Sequence, residues 1–106
     1  MGNHLKGSLD LLLMAVLRDG PAHGYAIITA LRERSAGRFE LAEGTIYPAL
    51  HKLESAGLVS SSWDASGGRR RRVYALTADG RRAQEAEQKE WTGFALGVQA
   101  VVGWSA

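Results

Sequence analysis

The chain has 106 residues, about the size of one domain, which excludes a multidomain enzyme with separate substrate and cofactor lobes. It contains no cysteine, so disulfide scaffolds, cysteine-bound zinc, iron–sulfur clusters and thiol catalysis are excluded. The net charge of +2 conceals a gradient, because residues 50–82 carry seven basic and three acidic groups. This concentration of positive charge in the middle third indicates one localised anionic partner.

The N-terminal third predicts a buried first helix. Its apolar run, residues 11–17, is far shorter than the roughly 18 residues of a membrane span, so we expect no membrane partner and a cytoplasmic protein. Ser8 is expected to cap this helix, which runs to Arg18 and stops before Gly20-Pro21. Because the helix is apolar nearly all round, it should be buried on several sides, more than a three-helix domain alone provides.

Two more helices are predicted, over about residues 24–34 and roughly 44–56. The inner face of the third has the spacing i, i+4, i+7: Ile46, Leu50 and Leu53. Pro48 is tolerated in the first turn of a helix, where the N–H has no internal partner. We therefore expect the third helix to begin close to residues 44–47.

The rest of the chain predicts a hairpin and a last helix. Residues 58–63 and 73–76 predict strands, joined by a turn-rich stretch and an arginine run. Thr77 should cap a helix that reaches about Val102. The resulting order, three helices, two strands and a helix, is mainly α with a small β-hairpin and is typical of a winged helix-turn-helix. We expect one compact unit, with residues 1–76 forming the DNA-binding domain and residues 77–106 a C-terminal dimerisation helix.

The outer face of the third helix could enter a DNA major groove, because small or polar residues there allow close approach to the base edges. Candidate contacts on this helix are Gly44, Thr45, Tyr47, Pro48, His51 and Lys52. Lys52 would neutralise a phosphate, and the hydroxyl of Tyr47 would donate to a phosphate oxygen. On this helix alone, an ordinary solvated amphipathic face remains the favoured alternative.

The arginine run favours DNA more strongly. It contains Arg69, Arg70, Arg71 and Arg72 directly after Gly67-Gly68. Since side chains alternate along a strand, Arg69 and Arg71 should point to one side, and the other two to the opposite side. One pair would contact phosphates or a narrow minor groove, while the other pair could brace the hairpin against acidic neighbours. Four adjacent cations repel one another and gain little without an anionic partner.

Three segments together resemble the PadR family of bacterial transcriptional regulators. They read GTIYPALHKLESAGLV at 44–59, GPAHGY at 20–25, and GGRRR at 67–71 followed by YALT at 74–77. The resemblance implies a homodimeric repressor that binds a palindromic operator near its own promoter and is released by ligand or stress signals. It adds Tyr25, in the GPAHGY segment, to the candidate DNA contacts. Arg70 departs from the family pattern, in which many members have proline, and the single last helix resembles the short branch of the family.

The last helix predicts a dimer interface. Its apolar residues Trp91, Phe94, Val98 and Val101 step by 3, 4 and 3, which is a heptad-like seam. A helix this long has little to cover within so small a domain, so we expect it to pack against a second copy. Gly93 and Gly97 lie one turn apart, and two interpretations stay open. Glycine there would allow close approach of another helix or line a cavity, or the end of the helix is weak and frays.

An effector site is a further expectation. Some members of the short PadR branch bind planar aromatic compounds at the dimer interface, and Trp91 looks similarly positioned, with Leu11, Ala95 and Val98 as expected walls. The favoured alternative is that Trp91 only anchors the dimer. No metal, cofactor or enzymatic activity is expected, because the three histidines are far apart in sequence and phosphate-loop and nucleophile motifs are lacking. An RNA-binding or protein-interaction winged helix is the remaining alternative.

Overall fold

A computed structural model of the chain describes residues 2–103, so the ends of the two expected domains, residues 1 and 104–106, lie outside the described part. The elements in chain order are α1 Gly2–Arg18, β1 Ala22–His23, α2 Gly24–Arg34, α3 Glu43–Ser55, β2 Val59–Asp64, β3 Arg71–Leu76 and α4 Ala78–Val102. The strands form an antiparallel sheet in the order β1-β3-β2. The expected fold class, a winged helix-turn-helix with a long C-terminal helix, is confirmed.

Two details of the N-terminal half differ from the sequence expectation. The helix α1 begins at Gly2, so the prediction that Ser8 caps it is wrong. A helix that has already formed gains one hydrogen bond for each added residue, which lets it continue through Ser8. The strand β1 was not predicted, because a strand of two residues shows no periodicity. In this strand Ala22 pairs with Tyr74 and His23 with Val73, which extends the hairpin to three strands.

Pro48 lies further into its helix than expected. The helix α3 begins at Glu43, after Ala42, which makes no side-chain cap hydrogen bond. Pro48 is therefore in the second turn, and the expectation that it occupies the first turn is wrong. The missing N–H leaves the carbonyl of Gly44 without its helical donor, but Gly44 is exposed, so water can take that place.

The core lies where α1, α2 and α3 meet the sheet. Its buried apolar side chains are Leu13, Met14, Val16, Leu17, Ile27, Leu31, Ile46, Leu50, Leu53, Val59 and Tyr74. The three predicted inner-face residues of α3 are all among them. The helix α1 contacts α2, α3, β3 and α4 within the same chain, which buries its later apolar residues but leaves Leu11 and Leu12 half-buried.

Thr77 connects the start of α4 to the end of α3, as well as capping α4 as predicted. Its hydroxyl accepts from the Gly80 N–H at 3.0 Å and donates to the Gly57 carbonyl at 2.7 Å. Gly80 is buried, and a Cβ there would collide with the carbonyl oxygen of Leu58. This close contact fixes where α4 leaves the sheet, and the helix then continues to a left-handed cap at Gly103.

Candidate nucleic-acid interface

The helix α3 has a buried side and a solvent side, as its apolar spacing predicts. Ile46, Leu50 and Leu53 are buried in the core. The predicted contact residues on the opposite side are exposed, and they are Gly44, Thr45, Pro48, His51 and Lys52. Within residues 2–103 no other element covers this side, so small and polar groups of α3 are accessible to a flat or grooved partner.

Tyr47 is half-buried at the edge of this face. Its ring lies directly against Gly24, where a Cβ would collide with the ring and hydroxyl, and 6.5 Å from the ring of Tyr74. Burial raises the pKa of the Tyr74 phenol, and the neighbouring Tyr47 raises it further. Tyr47 thus joins α3 to the start of α2, while the glycine at position 24 provides the space for the ring.

A cleft of about 480 Å³ lies between the start of α2, the start of α3 and the wing, which comprises residues 59–76. Its lining residues are His23, Tyr25, Glu43, Tyr47, Arg69, Arg70, Arg71 and Arg72. The structure therefore brings together six of the eleven predicted DNA-contacting residues, from three separate parts of the chain. Tyr25 is 69 % exposed at the rim of this cleft.

All four wing arginines line the cleft, but only Arg71 and Arg72 belong to β3, and three of the four differ in their contacts. An Nη of Arg71 lies 3.1 Å from Nε2 of His23, on the side of the cleft. Arg70 and Arg72 instead lie over the ring of Trp63 in β2. Near the turn, hydrogen bonds from the Ser66 N–H and hydroxyl lower the pKa of Asp64, and the charges of Arg71 and His23 lower it further.

Sequence reasoning missed several residues of this surface. His23 was read only as part of a motif, yet its Nδ1 accepts from the Ala26 N–H at 3.3 Å and caps α2. Glu43 adds a carboxylate to a cationic cleft, and Trp63 was treated as an ordinary strand residue. The side chains of Arg72, Ser61 and Glu54 form a polar cluster between β3, β2 and α3. A lone aromatic opposite an arginine run was the one signal that could have indicated Trp63.

The predicted dimer residues on α4 are exposed apolar side chains within the described part of the chain. Trp91, Phe94 and Val98 are 48 %, 56 % and 42 % exposed, and Val101 is 87 % exposed. The rings of Trp91 and Phe94 are 5.7 Å apart. A Cβ at Gly93 or Gly97 would meet no atom within 4 Å, so packing among the described residues does not require glycine at either position.

The predicted effector residues are divided between two places. Leu11 and Trp91 line one cavity of about 330 Å³ between α1 and α4, together with Ser8, Glu87, Glu90 and Phe94. Val98 lines a separate apolar depression of about 470 Å³ nearer the end of α4, and Ala95 lines neither. Glu87 and Glu90 were not predicted here. Burial raises the pKa of Glu87, and the negative charges of Asp10 and Glu90 raise it further.

Within residues 2–103, no helix combines the length and the apolar character needed to cross a bilayer. The same described residues contain no group of three or more histidine, aspartate or glutamate side chains arranged to hold a metal ion.

Comparisons with known proteins agree with this geometry. Residues 13–86 match the transcriptional regulator PadR-like family. A transcriptional regulator of Mycobacterium tuberculosis (strain H37Rv) is 39 % identical over 84 residues, which is 79 % of this chain and 76 % of that protein. This family consists of regulators of transcription, which are not in general enzymes.

Solved structures show the same fold over nearly the whole chain. A PadR family transcription regulator from Clostridium difficile R20291 is 35 % identical, with a TM-score of 0.78 over 90 % of this chain and 97 % of that one. A PadR family regulator from Eggerthella lenta is 30 % identical, with a TM-score of 0.80 over 97 % of this chain and 88 % of that one. The chain belongs to the PadR-like family of DNA-binding transcriptional regulators.

Proposed function

We propose that two copies of this chain form a symmetric dimer that represses transcription by binding a palindromic operator. The observation that carries the proposal is the shared cleft, in which Tyr25 and Tyr47 lie beside the four wing arginines and next to the exposed face of α3. Cationic, aromatic and small polar groups on one surface match what a duplex offers, namely phosphates and base edges. Such a protein would act in the cytoplasm, on the DNA of its own cell.

In the proposed complex, α3 enters the major groove. His51 and Lys52 are both exposed there, and Lys52 would neutralise a phosphate while His51 donates to a base or phosphate. The first turn of α3, with Gly44 and Thr45, would approach the base edges. The wing would follow the backbone, with Arg69 and Arg71 facing phosphates or a narrow minor groove. Base contacts from α3 would provide specificity, and the wing would provide affinity that falls with salt.

The proposed dimer uses the exposed apolar seam of α4. Trp91, Phe94, Val98 and Val101 lie along one helix, and each is at least 42 % exposed within the described chain. Packing this seam against its copy removes apolar surface from water, which is the main favourable term in protein association. A two-fold axis through the seam would present two copies of α3 to half-sites about one DNA turn, roughly 34 Å, apart.

The test is a fluorescence-anisotropy titration of the protein with duplex DNA from upstream of its own gene. A scrambled duplex of equal length serves as the control, and both are measured at two salt concentrations. The proposal expects tighter binding to the upstream duplex at both salts, with saturation at two chains per duplex. Lys52→Ala should weaken this binding, whereas Lys89→Ala, an exposed lysine on α4, should not. Equal and salt-sensitive binding to both duplexes would contradict operator specificity.

The alternative, an RNA-binding or protein-interaction module, predicts different outcomes in the same assay. Preference for single-stranded RNA over duplex DNA would favour an RNA-binding protein. Binding to a protein partner that survives alanine substitution of all four wing arginines would favour an interaction module. The described surface exposes Tyr25 beside the wing and Trp63 within it, but α3 itself presents small and polar groups to a groove, which favours duplex DNA.

We also propose that a planar aromatic effector relieves repression by binding beside Trp91. The supporting observation is the cavity of about 330 Å³ that Leu11, Trp91 and Phe94 line between α1 and α4. Stacking against exposed indole rings would hold a flat aromatic compound. Fluorescence quenching by a panel of planar aromatics should be lost in Trp91→Ala and kept in Trp63→Tyr. Unchanged fluorescence of the parent protein across a broad panel would show that Trp91 only anchors the dimer.

A further inference from the structure

Trp63 is a large aromatic residue that the proposed DNA contacts do not use. It lies on β2, an edge strand of the sheet, directly opposite Arg72 of β3, and it is 55 % exposed. The Cζ atom of Arg70 lies 4.5 Å from the centroid of its ring, and that of Arg72 lies 5.1 Å away. Two of the four wing arginines therefore contact a single ring.

A guanidinium that lies over an aromatic ring keeps its donors available. The attraction arises from the ring face, whereas the five N–H groups of arginine lie in the plane of the guanidinium. Arg70 makes no hydrogen bond or ion pair among the described residues, so its N–H groups can still reach a phosphate. The contact with Trp63 restricts the side chain without occupying its donors.

Arg72 has a different role, because its donors are used within the protein. Its Nε donates to the Ser61 hydroxyl at 3.0 Å, and one of its Nη atoms lies 3.9 Å from a carboxylate oxygen of Glu54. The Ser61 hydroxyl in turn donates to the same Glu54 oxygen. Glu54 belongs to α3, so this cluster connects the helix that would enter the groove to the ring of Trp63.

We infer that Trp63 is a positioning residue for DNA binding. Its ring contacts Arg72, which is connected to α3 through Ser61 and Glu54, and the same ring restricts Arg70 near the tip of the wing. Arg70 comes two residues after the Gly67-Gly68 turn, in which both glycines have positive φ, and a free arginine loses much of its side-chain freedom when it pairs with a phosphate. By restricting Arg70 beforehand, Trp63 lowers that cost. This inference rests on the proposed DNA binding.

The test compares Trp63→Leu, which removes the aromatic face, with Trp63→Tyr, which keeps it. Because the cost of ordering one long side chain at an interface would return, Trp63→Leu should lose about three- to tenfold in affinity for duplex DNA. Trp63→Tyr should stay within about twofold of the parent protein, since tyrosine also binds cations over its face. Ser62→Ala, a change at the neighbouring exposed residue of β2, is the matched control and should bind like the parent.

A mutant cycle distinguishes positioning from direct contact. In an Arg70→Ala/Arg72→Ala background, Trp63→Leu should have less than about a twofold effect, because nothing remains for the ring to hold. A loss that persists in this background would mean that Trp63 itself contacts DNA, and it would overturn the inference. Equal binding by the parent and Trp63→Leu, or equal losses in Trp63→Leu and Trp63→Tyr, would also overturn it.

A second readout needs no DNA. In the free protein, the ring of Trp63 should shift the NMR signals of the Arg70 and Arg72 side chains upfield. Trp63→Leu should remove that shift, while the remaining signals keep the dispersion of a folded protein. Absence of the shift in the parent protein would overturn the inference. If the parent protein binds no duplex DNA, the proposed function fails instead, and the two failures are thus separable.

Discussion

Gly24→Ala tests whether the space beneath Tyr47 determines the geometry of the α2–α3 junction. Gly24 is the first residue of α2 and is buried, and a Cβ there would collide with the hydroxyl, Cζ and Cε1 atoms of Tyr47. All three atoms belong to the end of one side chain, so the ring would have to leave its position rather than the backbone move. Tyr47 would then lose its packing against Tyr74.

The expected cost follows from two opposing terms. Forcing extra volume into a packed site costs about 1–3 kcal/mol, whereas alanine in place of glycine favours a helix by up to about 1 kcal/mol. The net loss in the free energy of unfolding should therefore be about 1–2 kcal/mol. In a domain of this size each kcal/mol lowers Tm by about 4–8 °C, which circular dichroism resolves easily.

Two further variants make this reasoning refutable. Gly44→Ala is the matched control, because Gly44 is also in the first turn of a helix but has no atom within 4 Å of its added Cβ, so Tm should not fall. In a Tyr47→Ala background, Gly24→Ala should be neutral or stabilising, since the obstructing ring is gone. If Gly24→Ala destabilises the Tyr47→Ala protein as much as the parent, Tyr47 is not the obstruction and the reasoning is refuted.

Three other changes test the apolar seam of α4, the cavity between α1 and α4 that Glu87 lines, and the wing. Val98→Asp should make the protein monomeric in sedimentation while leaving it folded. The residue is exposed in one chain, but in the dimer the change would bury an unpaired charge. A persistent dimer would refute the assignment of this seam of α4 as the dimer interface. Glu87→Gln should raise Tm at pH 7, because burial and the charge of Asp10 disfavour the charged carboxylate in the folded protein. The gain should vanish as the pH falls through the raised pKa of Glu87 to the ordinary glutamate pKa of 4.5. A gain that is unchanged at pH 4 would contradict this explanation. Replacing Arg69 and Arg71 with alanine should weaken binding to all duplexes and reduce the salt slope by about two, whereas a sequence-selective loss would mean that they read bases.

Much of the fold follows from local patterns. The apolar spacing of α3 identified its buried face, because a helix repeats every 3.6 residues whatever it packs against. Thr77 was recognised as a cap because the bond from its hydroxyl to an N–H three residues later is local. The start of α1 and the position of Pro48 were misjudged, since the ends of helices depend on small local energies that neighbouring packing easily outweighs.

The candidate site depends on contacts between distant residues. The pairing of β1 with β3 brings His23 to Arg71, which is 48 residues away in sequence, and no periodicity in a two-residue strand predicts it. The strand register places Trp63 opposite Arg72, and the packing of α3 beside β2 brings Glu54 to Ser61.

The sequence by itself therefore determined the helices, the arginine-rich wing and the family resemblance, because each depends on residues that are close together along the chain. Only the tertiary structure decided which arginine approaches His23, which two lie over Trp63 and which residues of α4 stay exposed. Those outcomes depend on the sheet register and on the direction in which α4 leaves Thr77, and both are set by packing between segments that are remote in sequence.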